Sequence, residues 1–368
     1  ATGQVGEEMG ATLEPACDDE DGCPAVSTAS RLPAKAATAA AAVSAGAESS
    51  GGVGAGTWLF SIEEMRAEAA VQIGQSACGP TAVLNILRGC GTTSEALPSP
   101  QEVLATTPAR QRDYRTPSLS EYLLSRARAG TIHSDLIAGV DALSLGEITG
   151  QLFAVDQFAS PRELSSWLEE WLCLGAVPML TLNLFLMGKD AYHHQTVFGV
   201  EEGGDVWATN PVQKYSPTHL LSLLTGSRSM VIPRQHILER FQRACLAGSH
   251  ESFISEAASL DKSPGWDQFQ VGSQITRILG EALHHGDPEA AGGRPLNRFQ
   301  DLVIPWGGLP GVTVFARRGS PAHEKLRAAA DAGQDMAKIN LPLYNTTEWV
   351  PVALRPRGRE QQAAPCQR

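Results

Sequence analysis

The sequence predicts an α+β fold in which a cysteine-bearing helix packs against an antiparallel sheet. Three observations support this prediction: a buried-helix pattern that begins at Cys78, an apolar strand pattern that follows Gly175, and a hairpin pattern that runs from His194 to Pro211. Since 42% of the 368 residues are apolar, the chain is able to bury a substantial core.

The helix at Cys78 is indicated by its apolar spacing and by its end signals. Apolar side chains recur at the i, i+1, i+4 and i+5 positions of a buried helix, namely Ala82, Val83, Ile86 and Leu87. Pro80 suits the first turn, because the N–H that proline lacks has no intrahelical partner there. Gly89 and Gly91 are expected to end the helix.

A second helix and a strand are predicted before the hairpin. Ser160 is a suitable N-cap, Pro161 occupies the first helical position, and Glu163 occupies the third. This helix is expected to end at Gly175, and residues 177–185 then have the apolar character of a strand.

The hairpin is predicted from two apolar segments, 194–200 and 206–211, separated by the glycine-containing turn 201–205. Beyond residue 230 the pattern changes to amphipathic helices followed by short strands. The helices are expected around 236–260 and 271–285, and the strands at 312–317 and 348–354.

Four segments follow from the composition. Residues 1–57 contain no aromatic residue and include an alanine-rich tract, which predicts a disordered tail. Residues 58–230 form the predicted folded core, and residues 231–354 form a C-terminal extension without a motif that indicates its role. Residues 355–368 are predicted to be a second, basic disordered tail.

Charge, hydropathy and cysteine spacing exclude several classes of function. A net charge of −11 argues against binding to the phosphate backbone of nucleic acids. The longest apolar run, 172–188, is interrupted by Pro178 and is shorter than the roughly 20 residues of a membrane-spanning helix. Seven scattered cysteines, with no CxxC pair, describe neither a disulfide framework nor a metal site. With no secretory signal visible, we expect a reducing, cytoplasmic location.

Cys78 is the strongest candidate for a catalytic residue. A cysteine at the first residue of a helix lies where free N–H groups and the helix dipole stabilise a thiolate. The same N–H groups, together with an upstream amide from Gln72 or Gln75, are able to stabilise an oxyanion in acyl transfer. The alternative is that Cys78 is an ordinary buried thiol at a helix start.

His193 and His194 precede the hairpin and offer an imidazole partner for the thiolate. Adjacent strand residues face opposite ways, so one histidine alone is expected to face a given site. A metal site is disfavoured because no further ligand motif completes a set, so we predict neither a metal nor a cofactor. A purely structural histidine pair is the other alternative.

Asn210-Pro211 closes the partner strand of the hairpin. An asparagine here would orient the imidazole by accepting its ring N–H. The alternative is an ordinary turn, which is the commoner meaning of the Asn-Pro dipeptide.

Taken together, these features resemble the papain-like cysteine peptidases, particularly the bacteriocin-processing and C39-like peptidases. The shared features are a glutamine followed after five residues by Cys78-Gly-Pro, and then a glycine, an apolar strand, a histidine and an aromatic-containing strand that ends in Asn210-Pro211. Phytochelatin synthases are similar in the glutamine-to-cysteine segment. The resemblance covers roughly residues 58–230 and implies that this segment is a papain-like catalytic core.

The resemblance implies a thiol-dependent peptidase that cleaves a peptide or isopeptide bond in a peptide or protein substrate. Cys78 would be the nucleophile, Asn210 the orienting residue and Gln72 the oxyanion-hole amide. For the general base, the spacing to Gly199 favours His193, whereas the spacing to Asn210 and the strand alternation favour His194, which we predict. An acyltransferase with the same residues and a catalytically silent binding scaffold are the alternatives.

Overall fold

A computed structural model describes residues 56–74, 76–116, 118–184, 192–225, 229–262, 265–284 and 301–333. All of them belong to the second of two units in the chain, Ala47–Arg368. The predicted disordered segments, apart from residues 56 and 57, and the predicted strand at 348–354 lie outside the described residues.

A seven-stranded antiparallel sheet forms the centre of this unit. Its strands are β1 (Gly56–Trp58), β2 (Ile148–Phe153), β3 (Val177–Asn183), β4 (Tyr192–Glu201), β5 (Val206–Thr209), β6 (Gln213–Tyr215) and β9 (Gly311–Arg317). The order across the sheet is β2-β9-β3-β4-β5-β6, and β1 pairs with the end of β4. A separate two-stranded antiparallel sheet pairs β7 (Ser229–Ile232) with β8 (Leu302–Pro305).

Eleven α-helices surround these strands in the part of the chain that the structure describes. The first six are α1 (Ile62–Glu68), α2 (Cys78–Gly89), α3 (Pro100–Thr106), α4 (Leu119–Ala127), α5 (His133–Leu143) and α6 (Pro161–Cys173). The others are α7 (Pro217–Leu224), α8 (Arg234–Leu246), α9 (His250–Leu260), α10 (Val271–His284) and α11 (Pro321–Asp331), with a 3₁₀ turn at Asp267–Phe269.

Helices cover both faces of the sheet. One face carries Val177, Met179 and Phe315 and packs against the buried side of α2 and against α5. The opposite face carries apolar residues such as Leu180 and Val314 and packs against α6, α7 and α11. The sheet is therefore buried on both sides, which explains why β3 and β9 have nearly continuous apolar sequences rather than alternating ones.

A separate apolar cluster forms around α4, α8, α9 and α10 and the β7–β8 strand pair. It contacts the sheet region through Tyr192, at the start of β4, whose ring stacks on Trp306 with 3.4 Å between ring centroids. The Tyr192 hydroxyl also donates to the carbonyl of Ser229, at 2.9 Å. These contacts fix the end of β4 from which the two histidines follow.

The predicted mixed fold with an antiparallel sheet is confirmed, as are the local elements that the sequence predicts most clearly. Helix α2 starts at Cys78, and α6 starts after Ser160, whose hydroxyl accepts the N–H of Glu163. The predicted strand at 312–317 is present as β9, but it lies inside the sheet, between the edge strand β2 and β3. The sheet therefore includes a strand from the segment that is predicted above as a C-terminal extension.

Candidate active site at the start of helix α2

Cys78 is the first residue of α2 and is 8% exposed. No side chain caps this helix start, because the N-cap residue is Ala77. The main-chain N–H groups of Gly79 and His194 stabilise the charged form of the Cys78 thiol and so act to lower its pKa. The thiol therefore lies where the positive end of the helix dipole and two fixed donors stabilise a negative charge.

His193 is the side chain that pairs with Cys78. Burial on its own raises the pKa of the Cys78 thiol, but the hydrogen bond and positive charge of His193 and the two main-chain donors outweigh burial, so the pKa is lowered. A lowered pKa increases the thiolate fraction at neutral pH, and the thiolate is the nucleophilic form.

Cys90, at the other end of the same helix, shows that this effect is local. It is also 8% exposed, yet burial raises the pKa of its thiol to about 12 and outweighs the opposing charge of Arg317. Because the two cysteines have equal exposure, the imidazole and the helix start, rather than burial, account for the lowered pKa of Cys78.

The His193 ring is held by the main chain of Asn210. Its Nε2 lies 2.5 Å from the Asn210 carbonyl oxygen. A carbonyl oxygen only accepts hydrogen bonds, so Nε2 carries a proton and donates it. Nδ1 is then the ring nitrogen that remains for the Cys78 thiol, which is the arrangement required of a general base.

Asn210 orients the imidazole through its carbonyl and not through its side chain, which is the group that the sequence predicts for this role. Asn210 has φ of 78°, in the left-handed region, which turns its carbonyl toward His193. Its side-chain Nδ2 is buried and makes no hydrogen bond with the described residues. Asparagine and glycine adopt this backbone conformation most readily, which explains the residue type at this position.

We therefore predict that Asn210→Gly retains the imidazole contact. Glycine adopts the left-handed conformation without strain and keeps the carbonyl, so the alkylation rate of Cys78 should stay within about threefold of the native rate. Asn210→Ala should lower the free energy of unfolding by about 1 kcal/mol, because alanine tolerates the left-handed conformation less well than asparagine does. Rates of Cys78 alkylation and chemical denaturation of both variants check this. Loss of Cys78 reactivity in the glycine variant would show that the side chain is needed.

His194 makes a different set of contacts and is 2% exposed. Its Nε2 lies 2.8 Å from the Thr131 carbonyl and therefore donates to it, while Nδ1 accepts from the Thr181 hydroxyl at 3.2 Å. Burial is the main cause that lowers the pKa of His194 to about 4. A neutral ring with both nitrogens occupied is unsuited to general acid–base catalysis at neutral pH.

The preference for His194 over His193 is thus not supported by the geometry. The two rings point to different places, as strand alternation predicts. His194 lies opposite Thr181, on the face of the sheet that packs against α2. However, His193 is half-buried near the start of β4, and its ring reaches both Cys78 and Asn210. Periodicity alone does not show which of the two environments contains the thiol.

The buried His194 predicts a pH dependence of stability. Its pKa is about 4 in the folded chain against 6.5 when unperturbed, so below pH 6.5 the unfolded chain binds more protons. The contribution of His194 to the free energy of unfolding should therefore be fully present above pH 6.5. The free energy of unfolding should fall by up to roughly 3 kcal/mol as the pH drops toward 4. Urea denaturation of the native protein and of His194→Gln between pH 4.5 and 7.5 checks this. The variant should show a flatter profile, and equal slopes would contradict the prediction.

Gln72 lies upstream of Cys78 on an exposed segment, and its amide donates to the Gly74 carbonyl at 3.1 Å. The structure therefore does not bring this amide to the thiol. Gln75, the other amide considered, lies outside the described residues.

Two polar residues of α2, which no motif in the sequence indicates, hold the segment before Cys78. The Thr81 hydroxyl accepts the N–H of Ile73 at 3.1 Å and donates to the Ala77 carbonyl at 2.7 Å. One turn later, the Asn85 side chain accepts the N–H of Ala70 at 2.9 Å. Both side chains are buried, and their i, i+4 spacing on an otherwise apolar helix is the signal that could have identified them.

Gly79 allows the helix start to approach the Thr131 segment closely. A Cβ at Gly79 would lie 2.5 Å from both Cβ and Oγ1 of Thr131. The carbonyl of Thr131 also accepts from His194, and its hydroxyl donates to the Pro108 carbonyl at 3.1 Å. The absence of a side chain at Gly79 thus brings together α2, the Thr131 segment and β4.

Among the described residues, no group of three or more histidine, cysteine or acidic side chains is arranged to hold a metal ion. Within the same residues, no helix is long and apolar enough to cross a membrane.

No family model matches the sequence, and no curated protein matches it significantly.

Proposed function

We propose that the protein is a thiol-dependent peptidase in which Cys78 is the nucleophile and His193 is the general base and acid. The observation that carries this proposal is the contact between Cys78 and His193 at the start of α2, which lowers the pKa of the thiol against the effect of burial. Perturbed nucleophiles paired with an imidazole are typical of active sites.

The reaction follows from these roles. The Cys78 thiol gives its proton to His193 Nδ1, and the resulting thiolate attacks the carbonyl carbon of a peptide or isopeptide bond, whose oxygen gains the negative charge. The N–H of Cys78, in the uncapped first turn, is the main-chain donor proposed for this oxyanion. Gln72 would join it only if its amide leaves the Gly74 carbonyl.

His193 then transfers its Nδ1 proton to the departing amine, which breaks the C–N bond and leaves a thioester on Cys78. Water attacks the thioester, His193 accepts the proton of that water, and the acid product leaves with the thiolate regenerated. The Asn210 carbonyl holds the ring in the required tautomer throughout, since it accepts from Nε2 in both protonation states.

The resemblance to papain-like peptidases supports the proposal, because a cysteine-bearing helix packed on an antiparallel sheet is the arrangement implied by that family. The order of the residues along the chain is also the order implied: glutamine, cysteine at a helix start, histidine on a strand, and Asn-Pro after the next strand.

Selective alkylation tests the proposal. The protein is treated with iodoacetamide at about pH 5.5, where ordinary thiols are protonated. Peptide mass spectrometry then locates the modified cysteine. We expect Cys78 to react first. The chain contains its own controls: Cys90 has equal exposure and a raised pKa, whereas Cys173 and Cys245 are exposed.

Hydrolysis of a peptide library, with Cys78→Ser as the inactive control, then distinguishes the possible activities. Cleavage that requires Cys78 supports a peptidase. Product formation only in the presence of an added amine would instead indicate acyl transfer with the same residues. Equal or absent labelling of Cys78 would contradict the proposal and favour a silent binding scaffold.

A further inference from the structure

We propose that Gln195 and Tyr215 are positioning residues that hold the Asn210 carbonyl in the place where it orients His193. This inference rests on the proposed function, and it extends the site beyond the residues that touch a substrate. Neither residue is indicated by the motifs in the sequence.

Three hydrogen bonds form a continuous chain behind the imidazole. The Tyr215 hydroxyl donates to Gln195 Oε1 at 2.6 Å, and Gln195 Nε2 donates to the Asn210 carbonyl at 3.1 Å. The same carbonyl accepts from His193 Nε2 at 2.5 Å. The two donors use the two lone pairs of one oxygen, so each donor restricts where the other is able to lie.

The hydrogen-bonded residues behind the imidazole are buried, and Gln195 and Tyr215 lie on strands of the sheet. Gln195 is fully buried on β4, and Tyr215 is 3% exposed on β6. Gln195 and His193 are two residues apart on the same strand, so both side chains extend toward Asn210 from one face. Gln213 provides a further donor to Gln195 Oε1, at 3.4 Å.

Asn210 needs such support because regular structure does not hold it. It follows the last residue of β5, its φ is positive, and a proline without an N–H comes next. If the carbonyl moved, the Nε2 proton of His193 would lose this acceptor, and the carbonyl would no longer orient the ring toward Cys78. The Gln195 amide prevents this movement, and Tyr215 fixes which way the amide points.

The test uses Tyr215→Phe and Gln195→Met, which remove hydrogen-bonding atoms and preserve most of the side-chain volume. Tyr122→Phe is the matched control, because Tyr122 is also fully buried and its hydroxyl bonds to His236 Nδ1 at 3.0 Å, outside this chain of contacts. The readout is the alkylation rate of Cys78 against pH, with thermal unfolding measured in parallel. This readout requires no substrate.

We expect acid-pH alkylation of Cys78 to slow about fivefold in Tyr215→Phe and about tenfold in Gln195→Met, because neutral hydrogen bonds that align the ion pair are lost. The inflection of the pH profile should move to higher pH in both variants. The Tyr122→Phe control should stay within about twofold of the native rate even if it unfolds at a lower temperature.

The outcomes separate the two proposals. If native Cys78 reacts at acidic pH and folded Tyr215→Phe has an unchanged profile, the positioning role is wrong while the thiolate–imidazole pair stands. If native Cys78 does not react at acidic pH, both proposals are overturned. If Gln195→Met does not fold, Tyr215→Phe, which lacks one oxygen atom, decides the question.

Discussion

His193→Ala is expected to slow alkylation of Cys78 at about pH 5.5 by about tenfold or more, because removal of the imidazole leaves a buried thiol that is mostly protonated. Burial is the largest influence on this thiol and acts to raise its pKa, and His193 is the main influence that opposes it. Any peptide hydrolysis should fall about 10²- to 10⁴-fold, because the same ring is the proposed proton donor to the leaving amine. Cys78-specific mass spectrometry and single-turnover hydrolysis measure the two effects.

Two further variants serve as controls. His250→Ala removes an exposed histidine at the start of α9 and should leave the reactivity of Cys78 unchanged. His194→Gln keeps the main-chain N–H that contacts Cys78 and should alter stability more than reactivity. If His194→Gln abolished acid-pH labelling while His193→Ala did not, the assignment of His193 would be wrong and strand alternation would have identified the correct ring.

Gly79→Ala is expected to lower the free energy of unfolding by about 1–3 kcal/mol, the usual cost of adding volume to a well-packed interior. The new Cβ would lie 2.5 Å from two atoms of Thr131, whose carbonyl and hydroxyl are both hydrogen-bonded. Neither α2 nor the Thr131 segment is therefore able to move without loss of another contact. We also expect slower alkylation of Cys78, because the sulfur and the His194 N–H would separate.

Gly280→Ala is the matched control for this substitution. Gly280 lies inside α10, and no neighbouring segment comes within 4 Å of the place that a Cβ would occupy, so alanine should stabilise the helix by up to about 1 kcal/mol. In the double variant Gly79→Ala, Thr131→Gly, removal of the opposing side chain should recover part of the lost stability. Chemical denaturation measures all three. Native stability of Gly79→Ala would contradict the packing described for the site.

Much of the local structure was predictable because short-range signals agree with one another. The cap residues around Ser160 define the start of α6, and the apolar spacing after Cys78 defines α2. These signals act within one or two helical turns, so tertiary contacts do not need to be known. Cys78 was identified for the same reason, since a helix start stabilises a thiolate wherever the helix lies.

Other features depend on residues far apart in the chain. Strand β9 was expected as a strand, but its position between β2 and β3 depends on hydrogen bonds to strands that lie far earlier in the sequence. Gln195 and Tyr215 look like ordinary strand residues until β4, β5 and β6 are aligned side by side. No local pattern predicts such pairing, because the hydrogen-bonding groups of every strand are alike.

The sequence by itself determined the elements and the chemical candidates: a helix that begins at a cysteine, two adjacent histidines on a strand, and an asparagine before proline. Only the tertiary structure decided which groups meet. It places His193 against Cys78, directs His194 to Thr131, and uses the carbonyl rather than the side chain of Asn210. The physical reason is that side-chain type and spacing fix what a residue is able to do, whereas burial and the packing of distant segments fix its partner.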